Sequence, residues 1–304
     1  MVAWVGPAEA AARAAGRVTN SPGTYIRVEP CVSYFQPGFA GMLARECQCS
    51  ARCRRCRGLP AQGRKMHEIR ALLFDVFGTV VDWRNGVAGQ VAPFLERHGS
   101  AASPAAFADA WRRRYQPGME AVRSGRRPFV PLDTLHRENL EAILPEAGLD
   151  PAAIPPAELD ALTLAWHRLD PWPDVLPGLV RLKKQYIIAP LSNGNIILML
   201  DIARRAGIPW DTILGAEVVR AYKPDPRAYD RTVALLALRP EQVCMVAAHN
   251  SDLAAARRSG LRTAFVARPT EHGPGQTTDL APEQDWDFVA GDFLALADAL
   301  GAAC

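Results

Sequence analysis

Hydrophobic positions along this chain follow three successive regimes. The stretch Arg70-Ala71-Leu72-Leu73-Phe74-Asp75 is a short apolar run closing on an acid. Such a run predicts a buried parallel strand whose carboxyl end presents Asp75. Over residues 85–172 the apolar positions recur at helical spacing, predicting helices near Val87–Arg97, Pro104–Tyr115, Leu132–Leu144 and Pro156–Arg168. From Trp172 onward the pattern alternates. Helices are predicted at Gly178–Gln185, Ile196–Ala206, Arg227–Leu236, Ser251–Ser259 and Phe293–Leu300. Strands are predicted between them at Tyr186–Leu191, Ile213–Ala216, Val243–Ala247, Thr263–Val266 and Asp287–Ala290. Strand–helix alternation implies a doubly wound α/β parallel sheet, a Rossmann-like core. That core takes residues 66–84 and 173–304, and the helical block 85–172 interrupts it as an inserted helical cap domain.

Residues 1–65 follow no such rule. They lack a sustained period of either 3.6 or 2, and Pro, Gly and Ser punctuate them. The cluster Cys47, Cys49, Cys53 and Cys56 offers four thiolates, enough for a zinc knuckle. Its spacing is not one of the common paired patterns, however, and Arg52, Arg54, Arg55 and Arg57 crowd it with positive charge. The segment reads instead as a disordered extension, or as upstream sequence ahead of a start at Met66.

Charge and cysteine content sharpen this division. The chain has 304 residues and a formal net charge of +3. Residues 1–65 hold ten Lys and Arg against three acids, leaving 25 of the 35 basic and 29 of the 32 acidic residues for 66–304. The folded part is mildly acidic, so its field gives no reason to expect nucleic acid as a partner. Only Cys244 and Cys304 lie beyond residue 65, too few for a disulfide framework, which suits a reducing compartment. No run approaches a membrane span, and no basic patch with an apolar core opens the chain as a secretory signal. The expected setting is the cytoplasm, with neither membrane nor nucleic acid as partner.

Four polar clusters fall at strand ends or helix starts: Asp75-Val-Phe-Gly-Thr79, Ser192-Asn193-Gly194-Asn195, Lys223-Pro224-Asp225 and His249-Asn250-Ser251-Asp252. In open α/β sheets, ligands bind beyond the carboxyl ends of the strands. One such cluster alone would be a helix cap or a surface turn. Four in this order point to an active site.

These residues resemble the four motifs of the haloacid dehalogenase superfamily over essentially all of 66–304. Phe74-Asp75-Val76-Phe77-Gly78-Thr79, Leu191-Ser192-Asn193-Gly194 and Tyr222-Lys223-Pro224-Asp225 look like its type II branch, the L-2-haloacid dehalogenases. The resemblance implies that Asp75 is the nucleophile and that Thr79 and Ser192 orient it and hold substrate oxygens. It pairs Lys223 with the Asp75 carboxylate and sets Asp252 to position water. It matches Arg112 to a cap arginine that meets substrate and halide, and places Tyr229 at the spacing of a site tyrosine. Arg112 is one of three adjacent arginines, and Tyr229 also fits a core aromatic. Asn193, with the backbone N–H groups opening the next helix, is a second candidate halide site.

The position two residues after Asp75 discriminates within the superfamily. Phosphatases carry a second Asp there to protonate the leaving alcohol; here it is Phe77. A halide needs no proton to leave, and the loss of a general acid forfeits roughly 10²–10⁴ in rate. With Asp252 the only acid in Ala247–Asp252, too few oxygen ligands remain for magnesium. The expectation is therefore a hydrolase acting on carbon–halide bonds of short 2-haloalkanoic acids, with no cofactor and no metal. Its partners would be a small-molecule substrate and, by resemblance, a second copy in a homodimer. The alternatives are a hydrolase of the same fold acting on a phosphate ester and a non-catalytic binding protein. Two departures stand out: Ala247 and His249 occupy positions where the dehalogenases have Ser and Asn. His249 is either a structural donor or a base.

A chain beginning at Met66 is expected to match the full-length protein in melting temperature and activity. A large loss of either, or stoichiometric zinc in the full-length protein, would show that residues 1–65 are part of the working molecule.

Overall fold

The computed structural model describes residues 69–302; the zinc-knuckle and disordered-extension readings fall on residues outside these. Among the described residues the strands form one parallel six-stranded sheet. They are β1 (Ala71–Phe74), β2 (Ile187–Ser192), β3 (Leu214–Gly215), β4 (Val243–Ala247), β5 (Arg262–Val266) and β6 (Phe288–Ala290), in the order β3-β2-β1-β4-β5-β6. The chain leaves β1 for β2 on one side and later returns to place β4 on the other. This reversal opens a crevice at the carboxyl ends of adjacent strands, the usual place for a ligand.

β1 is buried throughout, and its alternation divides the core into two. Leu72 and Phe74 join one apolar cluster, Ala71 and Leu73 the other. β4 repeats the division, with Cys244 and Val246 on the first side and Val243, Met245 and Ala247 on the second. Both faces are therefore covered, as a parallel sheet requires.

Between β1 and β2 lie helices α1 (Trp83–Arg97), α2 (Pro104–Arg113), α3 (Tyr115–Arg123), α4 (Leu132–Ile143) and α5 (Pro156–Thr163). α1 begins earlier than its pattern predicts because Asp82 caps it, accepting from the Asn85 N–H at 3.1 Å. α3 was not expected at all, since Pro117-Gly118 reads as a break. Within the first turn the missing proline N–H has no helical partner to lose, so the helix forms. The segment predicted to run to Arg168 ends as α5 at Thr163 and tightens into a 3-10 turn at Leu164–His167.

The core helices follow the strands: α6 (Val175–Lys183), α7 (Ile196–Ala206), the short α8 (Ala216–Val219), α9 (Pro226–Leu235), α10 (Asn250–Arg258) and α11 (Phe293–Ala299). Polar bonds fasten the inserted helices over the strand ends. Asp133 on α4 accepts from Asn195 Nδ2 at 2.7 Å, just before α7. His167 bridges Asp133 and Asp201 at 3.1 and 2.8 Å. Tyr222 donates to the Val130 carbonyl at 2.7 Å, and Arg123 to the Lys223 carbonyl at 3.1 Å. No helix among the described residues is long and apolar enough to cross a membrane.

One buried ion pair anchors the loop that follows Asp75. Arg268, in the loop after β5, donates from Nε to the Thr79 carbonyl at 2.9 Å. Its other nitrogens grip both oxygens of Asp174 at 2.9 and 2.8 Å, and Asp174 also accepts the Phe293 N–H. Arg268→Ala would leave the Asp174 charge uncompensated, and is expected to lower stability in urea denaturation by about 3–5 kcal/mol. Arg113→Ala, which removes an exposed pair with Glu146, should stay within about 0.5 kcal/mol.

Candidate active site

Asp75 follows the last residue of β1, so its carboxylate stands at the carboxyl edge of the sheet. Three elements converge on it. Lys223, in the turn before α9, donates from Nζ to Asp75 Oδ1 at 2.8 Å. The Thr79 hydroxyl donates to Oδ2 at 2.8 Å and accepts the Ala248 N–H at 2.9 Å, tying the β1 loop to the end of β4. His249 places Nδ1 3.1 Å from the same Oδ2. Lys223 also bonds Asp252 Oδ2, and Asp252 Oδ1 accepts from the Tyr229 hydroxyl at 2.6 Å.

The electrostatics follow from this geometry. Burial alone would push the Asp75 carboxyl up, but the Lys223 charge and the His249 hydrogen bond hold it well below the usual carboxylate range. Burial would likewise deprotonate Lys223, yet Asp252 and Asp75 together raise it above the ordinary lysine value. Asp75 is thus an anion, aimed into a cavity of about 340 Å³.

That cavity is lined by Asp75, Arg112, Asn193, Lys223, Tyr229, His249, Ser251 and Asp252, all named in the sequence, together with Tyr115, Gln116 and Arg123, which were not. Asn193 Oδ1 accepts the Lys223 N–H at 2.7 Å. Ser192 is set back from the cavity. Its Oγ accepts the Gly194 N–H at 3.0 Å and closes the turn.

Phe77 and Arg112 form a separate wall. The Arg112 guanidinium lies over Tyr115, Trp83 and Phe77, at 4.1, 5.2 and 5.7 Å from the ring centroids. Its Nη1 is buried with no hydrogen-bond partner. Phe77 meets Tyr115, His136 and Trp166 edge to face. Burial depresses His136 to about 3, so that ring is neutral. A desolvated cation beside apolar rings and an unspent donor suits a small anion.

Glu271 is the residue that sequence reasoning missed. It arrives from the loop after β5, almost two hundred positions from Asp75, and no motif marks it. Its carboxylate accepts from Trp83 Nε1 at 2.9 Å and lies 3.0–3.1 Å from His249 Nε2. Gly78, at φ +92°, makes room for it: a Cβ there would stand 2.1 Å from Glu271 Oε1. Glu271, His249 and His272 bring ligating atoms within 4.8 Å of one another. Trp83 and His249 already engage the Glu271 oxygens, however, so the trio closes on itself as an ion pair.

Against this geometry, known proteins give a consistent answer. The sequence profile described as haloacid dehalogenase-like hydrolase matches residues 69–260. The chain belongs to the haloacid dehalogenase-like hydrolases. Among curated members, it is 30% identical over 206 residues to the (S)-2-haloacid dehalogenase 4A of Burkholderia cepacia, covering 66% of this chain and 84% of that one. Two crystal structures are more similar. A defluorinating L-2-haloacid dehalogenase is 57% identical at TM-score 0.76, covering 77% of this chain and 96% of the other. A second L-2-haloacid dehalogenase is 51% identical at TM-score 0.73, covering 77% and 100%. The α/β core with its inserted helices, read from sequence as that of a haloacid dehalogenase, is the architecture observed.

His249 differs in charge from His136. Burial works against its imidazolium, but the Glu271 charge and the Asp75 hydrogen bond raise it well above the ordinary imidazole value. Nitrogen NMR of labelled histidines at neutral pH should therefore find His249 protonated and His136 neutral. Asp75→Asn removes one of the two anions and should move the His249 titration to lower pH; an unmoved titration would mean that Asp75 does not act on the ring.

Proposed function

We propose that this protein hydrolyses short 2-haloalkanoic acids, converting an L-2-haloacid to a D-2-hydroxy acid plus halide through an ester on Asp75. The observation that carries the reading is an ionised strand-end carboxylate that is paired with Lys223 and lines a cavity, with Phe77 at the sequence position where a phosphatase carries its general acid. The relatives named above are haloacid dehalogenases, which supports the same chemistry.

In the first step Asp75 attacks the halogen-bearing carbon from the side opposite the halogen. An oxygen–carbon bond forms, the carbon–halogen bond breaks, and the electron pair leaves with the halide. Arg112 and Asn193 receive that anion, while Phe77 keeps water from the reacting carbon. Lys223 and Thr79 fix the carboxylate so that little reorientation precedes attack. In the second step water, positioned by Asp252 and His249, attacks the carbonyl carbon of the Asp75 ester. Inversion at the substrate carbon occurs only in the first step, which sets the D configuration of the product. No step calls for a metal. Cys244 is buried and unpaired, which fits a reducing cytoplasm.

Halide release from chloroacetate, with fluoroacetate beside it, is expected to persist after exhaustive chelation, and an aryl phosphate to be left unhydrolysed. Restoration of a chelated protein by magnesium would favour a phosphatase. In a single turnover with excess enzyme in heavy-oxygen water, the ester route places the label in Asp75 and leaves the first product unlabelled. Label appearing at once in the product would mean direct attack by water. Asp75→Asn should lose essentially all turnover.

A further inference from the structure

A buried carboxylate that no step above uses calls for a reason. The Glu271 side chain is 1% exposed, and burying a charge is costly unless partners compensate. Its partners are His249, the Trp83 indole and, at 3.6 Å, His272. Only His249 connects it to the nucleophile. We propose that Glu271 is a positioning residue that holds His249 by Nε2, and that esterification of Asp75 turns His249 from a proton donor into the base for ester hydrolysis. This deepens the dehalogenase reading and rests on it.

The two ring nitrogens of His249 face different carboxylates. Glu271 faces Nε2 at 3.0 Å and Asp75 Oδ2 faces Nδ1 at 3.1 Å. An imidazolium satisfies both carboxylates in the resting enzyme. When Asp75 becomes an ester it loses its negative charge, and Nδ1 loses the anion that held its proton. That proton leaves to solvent through the cavity that His249 lines. Glu271 keeps the other proton on Nε2, which fixes the tautomer with the Nδ1 lone pair toward the ester. Since Nδ1 sits within hydrogen-bond distance of Oδ2, a water bonded to Nδ1 lies beside the carbonyl carbon of the ester.

The atoms then balance. Water oxygen adds to the Asp75 carbonyl carbon while Nδ1 takes one of its protons. The tetrahedral species collapses, breaking the bond between that carbon and the oxygen bound to substrate. The departing hydroxy acid takes the second water proton. Asp75 is again a carboxylate beside an imidazolium, and each turnover has released one halide and one proton. The groups facing His249 are Asp75 from β1 and Glu271 with His272 from the loop after β5. Lys223 and Asp252 act on it through Asp75, and Arg112 across the cavity.

Single-turnover kinetics on the full chain with L-2-chloropropionate test this, following halide release and the Asp75 ester by intact mass. In Glu271→Gln, halide release should stay within about twofold of wild type, while ester hydrolysis slows by about 10²-fold. The ester then accumulates. The base must be neutral to act, and an amide no longer stabilises the imidazolium. The acidic limb of ester hydrolysis should therefore move to lower pH, which a merely structural role would not produce. Glu271→Asp keeps a buried charge but withdraws it from Nε2, so it should show the same split, smaller, even if the glutamine variant does not fold. Equal slowing of both steps, unaltered ester hydrolysis, or an unmoved pH limb would overturn the inference. Absence of halide release in wild type would instead overturn the dehalogenase reading.

Discussion

Three charges buried in a row, Asp75, Lys223 and Asp252, constrain everything else at this site. An isolated buried ion is too costly to keep, so each must be compensated by groups fixed in place. Lys223 lies between the two carboxylates, and Thr79 and Tyr229 take up remaining oxygens. The three residues come from the end of β1, the turn before α9 and the start of α10. Only a parallel sheet, with all its carboxyl ends on one edge, delivers them to one point without long connections. β1 and β4 are neighbours, which brings Asp75 within reach of the segment carrying His249 and Asp252.

The second constraint is dryness. A carboxylate is a poor nucleophile while hydrated, and Asp75 is buried, with the aromatic cluster of Phe77, Tyr115, Trp83 and Trp166 packed nearby. The same cluster holds the Arg112 guanidinium against the faces of three aromatic rings. His136 shows how apolar this region is, since its ring stays neutral far below the usual imidazole range. The inserted helices thus make half of the site. The bonds from Arg123 to the Lys223 carbonyl and from Asp133 to Asn195 are what hold that half over the sheet.

His249 and Glu271 add a feature of another kind. Where the resemblance leads one to expect an uncharged amide, this chain carries His249, an ionisable ring held between Asp75 and Glu271. Glu271 can approach only because position 78 has no side chain and adopts a left-handed backbone. One glycine therefore serves both the turn that presents Asp75 and the carboxylate that supports His249. Ala247, which replaces a serine expected near Lys223, is buried in the second core cluster, and the lysine finds its partners in Asp75 and Asp252 instead.

Local pattern by itself determined most of the architecture. Apolar runs of four to six residues ending in polar clusters located the strands, since strand burial and period are written into neighbouring residues. Asp75, Lys223, His249 and Asp252 were legible because each stands at a strand or helix boundary, where a polar residue interrupts an apolar pattern. Arg112 was legible only through resemblance, and α3 was obscured by a proline that a first turn tolerates. Ser192 was placed in the right turn, but whether its hydroxyl faced the cavity or closed that turn depended on backbone geometry. Glu271 left no trace. It lies in an irregular loop after β5, among other polar residues, and its burial exists only when Trp83, Gly78 and His249 are folded around it. Periodicity records which face of an element is buried. Contacts between distant loops have no period, so the tertiary structure alone decided them.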